Sequence, residues 1–281
     1  MKRSLLTLVV FAASSWSQAK EPVSPVRARM QAFVNDKVIS GSVTAIATKD
    51  KILSLETVGY ADLKTEEAIR ADHLFWIASM TKPMAAVCVL QMQEEGKLSI
   101  EDPVEKHLPE FKGQWMVDGR DGGKLILRRP ARPITIFDLL THTAGVANTG
   151  TPRTESTLGE LVMSYSKTPL NFEPGSKWSY SNAGINTLGR IVEVVSGIPF
   201  ADFLQERVLD PCDMKDTTFW PSKEQAKRIA KSYRPDQKGE LQQVEVRFLA
   251  GGISTRKRTP YPAGGLYSTA GDVTRFYQMM L

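Results

Sequence analysis

Ser79 and Lys82 stand three residues apart in "FWIASMTKPMAAVCVL" (residues 75–90). If a helix starts near Ser79, that spacing puts both side chains on one face. First-turn N–H groups and the helix dipole favour an oxyanion over a neutral hydroxyl at such a start. A lysine there pays a desolvation cost when charged and faces the positive end of the dipole, so its pKa falls. A neutral lysine accepts a serine proton and activates the nucleophile without a histidine. Pro83 fits the first helical turn, whose N–H groups have no intrahelical partner to lose. The following "MAAVCVL" is apolar on every face, so a buried helix is expected, ending at Gly96. S-x-x-K alone is a weak signal, and a lysine near a helix start is ordinarily solvated.

A second stretch, "WSYSNAGINTLGRIVE", places Tyr180 and Asn182 just before another apolar-periodic helix stopped by Gly197. A tyrosine hydroxyl beside a lysine ammonium can ionise or relay a proton to a leaving group and later to water. An asparagine in a loop can bind a carbonyl or orient the lysine. Taken singly, a packed tyrosine and a helix-capping asparagine explain these residues equally well. Trp178 beside them is either a packed ring or an aromatic wall for an acyl group.

The elements that must carry these residues are legible in outline. A helix is expected within 20–37, then an antiparallel hairpin with strands at 42–47 and 52–59 around "TKDK". From about 98 to 244 the signals are mostly helical. Thr135 with Asp138 and Thr157 with Glu160 form capping boxes. "MVDGRDGGKLILRRPARP" is either a small hairpin or an exposed loop. Thr269 and Asp272 cap one more helix near the C-terminus.

Composition narrows the class. The 281 residues are 42% hydrophobic and 24% charged, as in a soluble globular protein of one large domain or two intimate ones. Lys2 and Arg3, the apolar run 5–13 and the small residues 17–19 resemble a secretory signal peptide (residues 1–19), which implies a secreted or periplasmic protein; an uncleaved anchor is the alternative. No later segment is apolar for long enough to span a membrane. Loss of Lys2 and Arg3 takes the net charge from +5 to +3, which is no nucleic-acid signature. "RKR" (residues 256–258) is expected to be a solvated loop, or else a patch for an anionic polymer. Cys88 and Cys212 are expected to be two buried free thiols rather than a disulfide. His73, His107 and His142 are scattered, and no metal or cofactor is expected.

The ordered set of "SMTK", "LLTHTAG", "EPGSKWSYSNAG" and "GGLYSTAGD" resembles the serine β-lactamase and penicillin-binding-protein superfamily, in particular its branch of class C β-lactamases, D-alanyl-D-alanine carboxypeptidases and S-x-x-K esterases. The likeness runs from about residue 25 to the end. It implies Ser79 as the acylated nucleophile, Lys82 as its proton acceptor, Tyr180 as a shared acid/base and Asn182 as a substrate contact. His142 is then a structural or loop-positioning residue. The implied substrates are small esters, β-lactams or D-Ala-D-Ala peptides, with no nucleic-acid partner. The implied fold is α+β: an α/β sandwich with an antiparallel sheet (residues 20–97 and 245–281) and an inserted, mostly helical region (98–244), with the cleft where they meet. Such families carry a third motif, Lys-Thr-Gly or His-x-Gly, after the "GGLYST" region, on a strand that supplies an oxyanion-hole N–H. None is found here. The expectation is therefore a chain truncated at its C-terminal strands, either an impaired enzyme or a silent homologue that binds cell-wall peptides or β-lactams.

Overall fold

A computed structural model describes residues 24–148, 155–246 and 252–281, so the expected signal peptide lies outside the described residues. Helix α1 (Pro25–Asn35) starts where Ser24 Oγ accepts the Arg27 N–H and Pro25 needs no N–H partner. Strands β1 (Gly41–Ala47) and β2 (Ile52–Asp62) pair antiparallel from Gly41↔Gly59 to Ala47↔Ile52. A short β3 (Glu67–Ala68) adds to the other edge of β2. Helix α1 packs on β1 and β2, and α9 (Ala270–Met280) packs on β1. Helices thus lie against an antiparallel sheet, the α+β arrangement expected of the β-lactamase/transpeptidase-like fold.

Strand β4 (Phe75–Trp76) leads into the Ser79 turn and pairs antiparallel with β9 (Tyr267–Ser268), nearly two hundred residues later. Helix α2 (Thr81–Glu94) follows, and Gly96 lies just beyond its end in a left-handed conformation. The next stretch holds α3 (Val104–His107), β5 (Met116–Asp121), β6 (Lys124–Arg128), α4 (Ile136–Leu140) and α5 (Leu158–Ser166). It continues through α6 (Asn182–Ser196), α7 (Phe200–Leu204), α8 (Lys223–Ala226), β7 (Tyr233–Pro235) and β8 (Leu241–Gln243). Both expected capping boxes are formed, at Thr135 and Asp138 and at Thr157 and Glu160. Helix α6 is central to the core and touches α2, α4, α5 and α7. Its buried Leu188, Ile191 and Val192 each contribute roughly 1.5–3 kcal/mol by leaving water.

Four expectations are corrected. Helix α2 is not buried all round: Leu90 is 41% exposed, because α6 and α7 cover only one side. The mostly helical region 98–244 carries an unexpected hairpin, β7–β8, besides β5–β6, the small hairpin that is one of the two readings of residues 116–133. In β5–β6, the two-residue turn Gly122–Gly123 has φ of +51° and +84°, which suits the right-handed twist of the flanking strands. The "RKR" run is not wholly solvated. Arg258 is 2% exposed, donates to the Phe219 and Ile253 carbonyls and lies over the Tyr267 ring. Cys88 is a buried free thiol as expected, but Cys212 is only half-buried.

Candidate active site

Ser79 is not in α2 itself. It occupies a 3-10 turn (Ala78–Met80) between β4 and α2, entered through Ala78 at φ +47°. A positive φ at a non-glycine residue is a sparsely populated conformation, held by its surroundings. Those surroundings are the β9 side. Ile77 N–H donates to Leu266 O at 3.0 Å, Trp76 Nε1 to Gly264 O at 2.6 Å, and Leu266 N–H to Thr81 Oγ1 at 3.3 Å. The turn leaves Ser79 exposed while Lys82, in the first turn of α2, is 8% exposed.

Helix α6 brings the second stretch to the same place. Ser181 is its N-cap, accepting the Gly184 N–H at 3.0 Å. Asn182 is therefore the first helical residue, not a loop residue as expected. Tyr180 Oη lies 2.5 Å from Ser79 Oγ, across 101 residues of sequence. Lys82 Nζ lies 3.0 Å from Ser79 Oγ, 2.9 Å from Asn182 Oδ1 and 2.5 Å from the Ala263 carbonyl oxygen. It also sits 4.6 Å from the centre of the Tyr180 ring. All four sequence candidates, Ser79, Lys82, Tyr180 and Asn182, thus converge on one point.

The proton balance follows from these partners. Burial holds the Lys82 ammonium below its ordinary pKa, while its contact with Tyr180 pulls the other way. Burial pushes the Tyr180 phenol up, but its bonds to Lys82 and Ser79 and the lysine charge outweigh that, and its pKa is lowered. As an ammonium, Lys82 donates to Ser79 Oγ, Asn182 Oδ1 and the Ala263 carbonyl oxygen. Once it has lost a proton, the Asn182 and Ala263 oxygens can keep its two N–H groups while its lone pair turns to the Ser79 hydroxyl.

His142 closes one side. Its ring is 4.8 Å from that of Tyr180, its carbonyl accepts the Ser179 N–H at 2.9 Å, and its Nδ1 accepts the Ser181 N–H at 3.2 Å. It therefore holds the backbone on both sides of Tyr180. Its own φ is +61°, and burial, then the Lys82 charge, hold its pKa down. Trp178 is not a buried packed ring: it is 65% exposed, with ring centres 6.4 Å from Tyr180 and 6.1 Å from His142.

Three contributors escaped sequence reasoning. Asn148 donates to the Tyr180 carbonyl at 3.1 Å and accepts the Ala183 N–H at 3.0 Å, so it ties the Tyr180 segment to the start of α6. The Ala263 carbonyl is main chain, and only the glycine pair after it in "PAGGL" hinted at a close approach. Asn186 holds the Ala263 N–H from inside α6. Among the described residues, no group of three or more His, Cys, Asp or Glu side chains converges as a metal site. No described helix is long and apolar enough to cross a membrane.

Comparison with known proteins places the chain in a family. The family model described as Beta-lactamase matches residues 26–281. Protein Rv1367c of Mycobacterium tuberculosis is 33% identical over 261 residues, covering 87% of this chain and 63% of that protein. Esterase EstB of Burkholderia gladioli is 30% identical over 271 residues, covering 86% of this chain and 66% of the esterase. The solved structure titled EstCE1, a hydrolase with promiscuous acyltransferase activity, superposes with a TM-score of 0.77 at 25% identity, covering 89% of this chain and 70% of that one. The chain thus spans about two thirds of the length of these relatives. With a family match that runs from the first described helix to the last residue, the chain belongs to the beta-lactamase family.

Proposed function

We propose that the chain is the nucleophile-bearing part of a secreted serine hydrolase that forms an acyl-enzyme on Ser79, with small esters as its preferred substrate class. One observation carries this reading: Ser79 Oγ is within hydrogen-bond reach of both Lys82 Nζ and Tyr180 Oη, 3.0 and 2.5 Å away. Lys82 takes the Ser79 proton as Oγ attacks the substrate carbonyl. Tyr180 Oη gives its proton to the leaving alkoxide as that bond breaks, and Lys82 restores it. In the second half, the same pair removes a proton from water as its oxygen attacks the acyl carbon; the bond from that carbon to Ser79 Oγ then breaks, the pair returns the proton to Oγ, and the acid leaves. Asn182 orients Lys82 and offers its amide to the substrate. The preference for esters is supported by the exposed apolar rim of Met80, Trp178 and Tyr180 beside an exposed Ser79, and by the activity in the name of the Burkholderia relative. The basic start and short apolar run at residues 2–13 support secretion.

The test is labelling with a fluorophosphonate, read by intact mass, with turnover of p-nitrophenyl butyrate, nitrocefin and a D-Ala-D-Ala peptide. A single adduct on Ser79, lost in Ser79→Ala, with the butyrate ester turned over fastest, is expected. No adduct sinks the hydrolase reading. Adducts with β-lactams or peptides that never leave the chain favour a binding homologue. Nitrocefin or peptide turned over ahead of the ester overturns the substrate class.

A further inference from the structure

Lys82 is aimed from two sides, and both supports are traced to α6. Asn182 acts directly. Four residues on, at the helical spacing that returns to the same face, Asn186 is 3% exposed and has both ends of its amide occupied. Its Oδ1 accepts the Ala263 N–H at 3.0 Å, and its Nδ2 donates to Tyr165 Oη at 3.1 Å. Tyr165 is itself 4% exposed on α5, and burial pushes its phenol up to about 12, so it stays neutral. Three residues beyond Asn186, Gly189 lets the same loop lie against α6: a Cβ there would fall 2.3 Å from Pro262 Cγ. Asn182, Asn186 and Gly189 thus form one stripe that receives Lys82, Ala263 and Pro262 in turn. The Ala263–Gly264 peptide is fixed at its other end too, since the Gly264 N–H donates to Tyr261 O at 3.1 Å.

We infer that Asn186 is a positioning residue: braced by Tyr165, it holds Ala263 so that the Ala263 carbonyl aims the Lys82 amine at Ser79. A hydrophobic residue at this helix position would satisfy the core. A fully partnered amide is used instead, and its partner is the residue whose next carbonyl touches the lysine. Asn186 touches no reacting atom, so it acts only through Ala263. The titratable groups around this relay are Tyr180 and His142 facing Lys82, and Tyr165 facing Asn186, with Tyr261 acting on Tyr165. The kinetic consequence rests on the serine-hydrolase reading; the effect on Lys82 itself does not.

The test reads the titration of Lys82 by 13Cε-lysine NMR on the full chain, with the signal assigned by its loss in Lys82→Arg. In Asn186→Ala the Ala263 N–H loses its acceptor, the aim of the Ala263 carbonyl loosens although the Gly264 N–H still holds that peptide, an acceptor that stabilised the ammonium weakens, and the Lys82 midpoint falls. In Asn186→Asp the acceptor for Ala263 is kept, Tyr165 can donate to it, and the added negative charge raises the midpoint. Fluorophosphonate labelling of Asn186→Ala slows by about 10- to 100-fold, the loss that follows a misplacement near 1 Å. A purely structural asparagine would lower the melting temperature of both variants and leave the Lys82 midpoint of Asn186→Ala in place, and that result overturns the inference. If Asn186→Ala does not fold, Tyr165→Phe is read in its place. It keeps the ring in the core and removes the brace, and the midpoint should fall by less. A wild-type chain that takes up no phosphonate but shows the opposed Lys82 shifts would overturn the proposed function and leave this inference standing.

Discussion

Gly189 offers a stringent test of the site, because general helix physics and this structure predict opposite signs. Replacing a helical glycine by alanine ordinarily stabilises by about 0.5–1 kcal/mol, since glycine loses more backbone freedom on folding. In α6, however, an alanine Cβ at 189 would meet Pro262 Cγ at 2.3 Å, Pro262 Cβ at 3.1 Å and Leu158 Cδ2 at 3.3 Å. Carbon atoms pack at about 3.5–4.0 Å, so the proline ring has to retreat by about 1 Å or more. Overpacking of this kind costs about 1–3 kcal/mol, which at its centre exceeds the propensity gain and leaves a net loss of about 1 kcal/mol within a span of about 0–2.5 kcal/mol. The retreat also carries Ala263 away from Lys82, and a shift of about 1 Å lowers the acylation rate roughly 10²-fold. Gly184 on the same helix is the internal control. A Cβ there would find only ordinary contacts, at 3.5 Å or more, so Gly184→Ala should be neutral or stabilising. The assay is urea unfolding of both variants together with the second-order rate of fluorophosphonate labelling. A Gly189→Ala chain that is as stable as wild type and acylates at the same rate would refute the reasoning, because the close approach of Pro262 to α6 would then be immaterial.

Three further outcomes are expected. The labelling rate should rise with pH as Lys82 loses its proton, with its midpoint below 10.5, because burial lowers the lysine pKa from that value; a rate flat from pH 6 to 11 would exclude Lys82 as the base. Asp138 is 2% exposed, receives the Thr135 N–H and hydroxyl and pairs with Arg132. Burial alone would raise its pKa, but those partners hold it below 3.8. Its contribution is therefore complete above the unfolded-state value and is lost as pH falls through the folded-state value. Asp138→Ala should cost about 2–3 kcal/mol at pH 7 by removing a cap and a charge-assisted hydrogen bond, and chemical denaturation should show that gap closing below about pH 4. Burial pushes the Cys88 thiol up to about 12, so in the native chain a thiol reagent should modify half-buried Cys212 well before Cys88; equal rates would contradict the packing of α2.

Much of the fold was legible because its signals are local. β-Branched runs around "TKDK" marked β1 and β2, a hydroxyl followed by an acid marked the starts of α4 and α5, and glycines marked the ends of α2 and α6. The β7–β8 hairpin was missed because "YRP" and "LQQ" are too short to alternate and one contains a proline, which an edge strand tolerates. Arg258 was misjudged because three adjacent basic letters look alike, while only the tertiary wrap over Phe219 and Tyr267 decides which of them leaves water.

The sequence by itself brought Ser79 and Lys82 together, since three residues spanning the 3-10 turn and the first turn of α2 keep the lysine within reach of the serine. It also supplied Tyr180 and Asn182 as residues able to serve such a pair. Only the tertiary structure brought Tyr180 Oη to 2.5 Å from Ser79 Oγ, because contact across 101 residues depends on how α6 packs against α2. Only the pairing of β4 with β9 delivered the Ala263 carbonyl to Lys82. Every residue carries a main-chain carbonyl, so no letter in the sequence can announce which one meets the lysine.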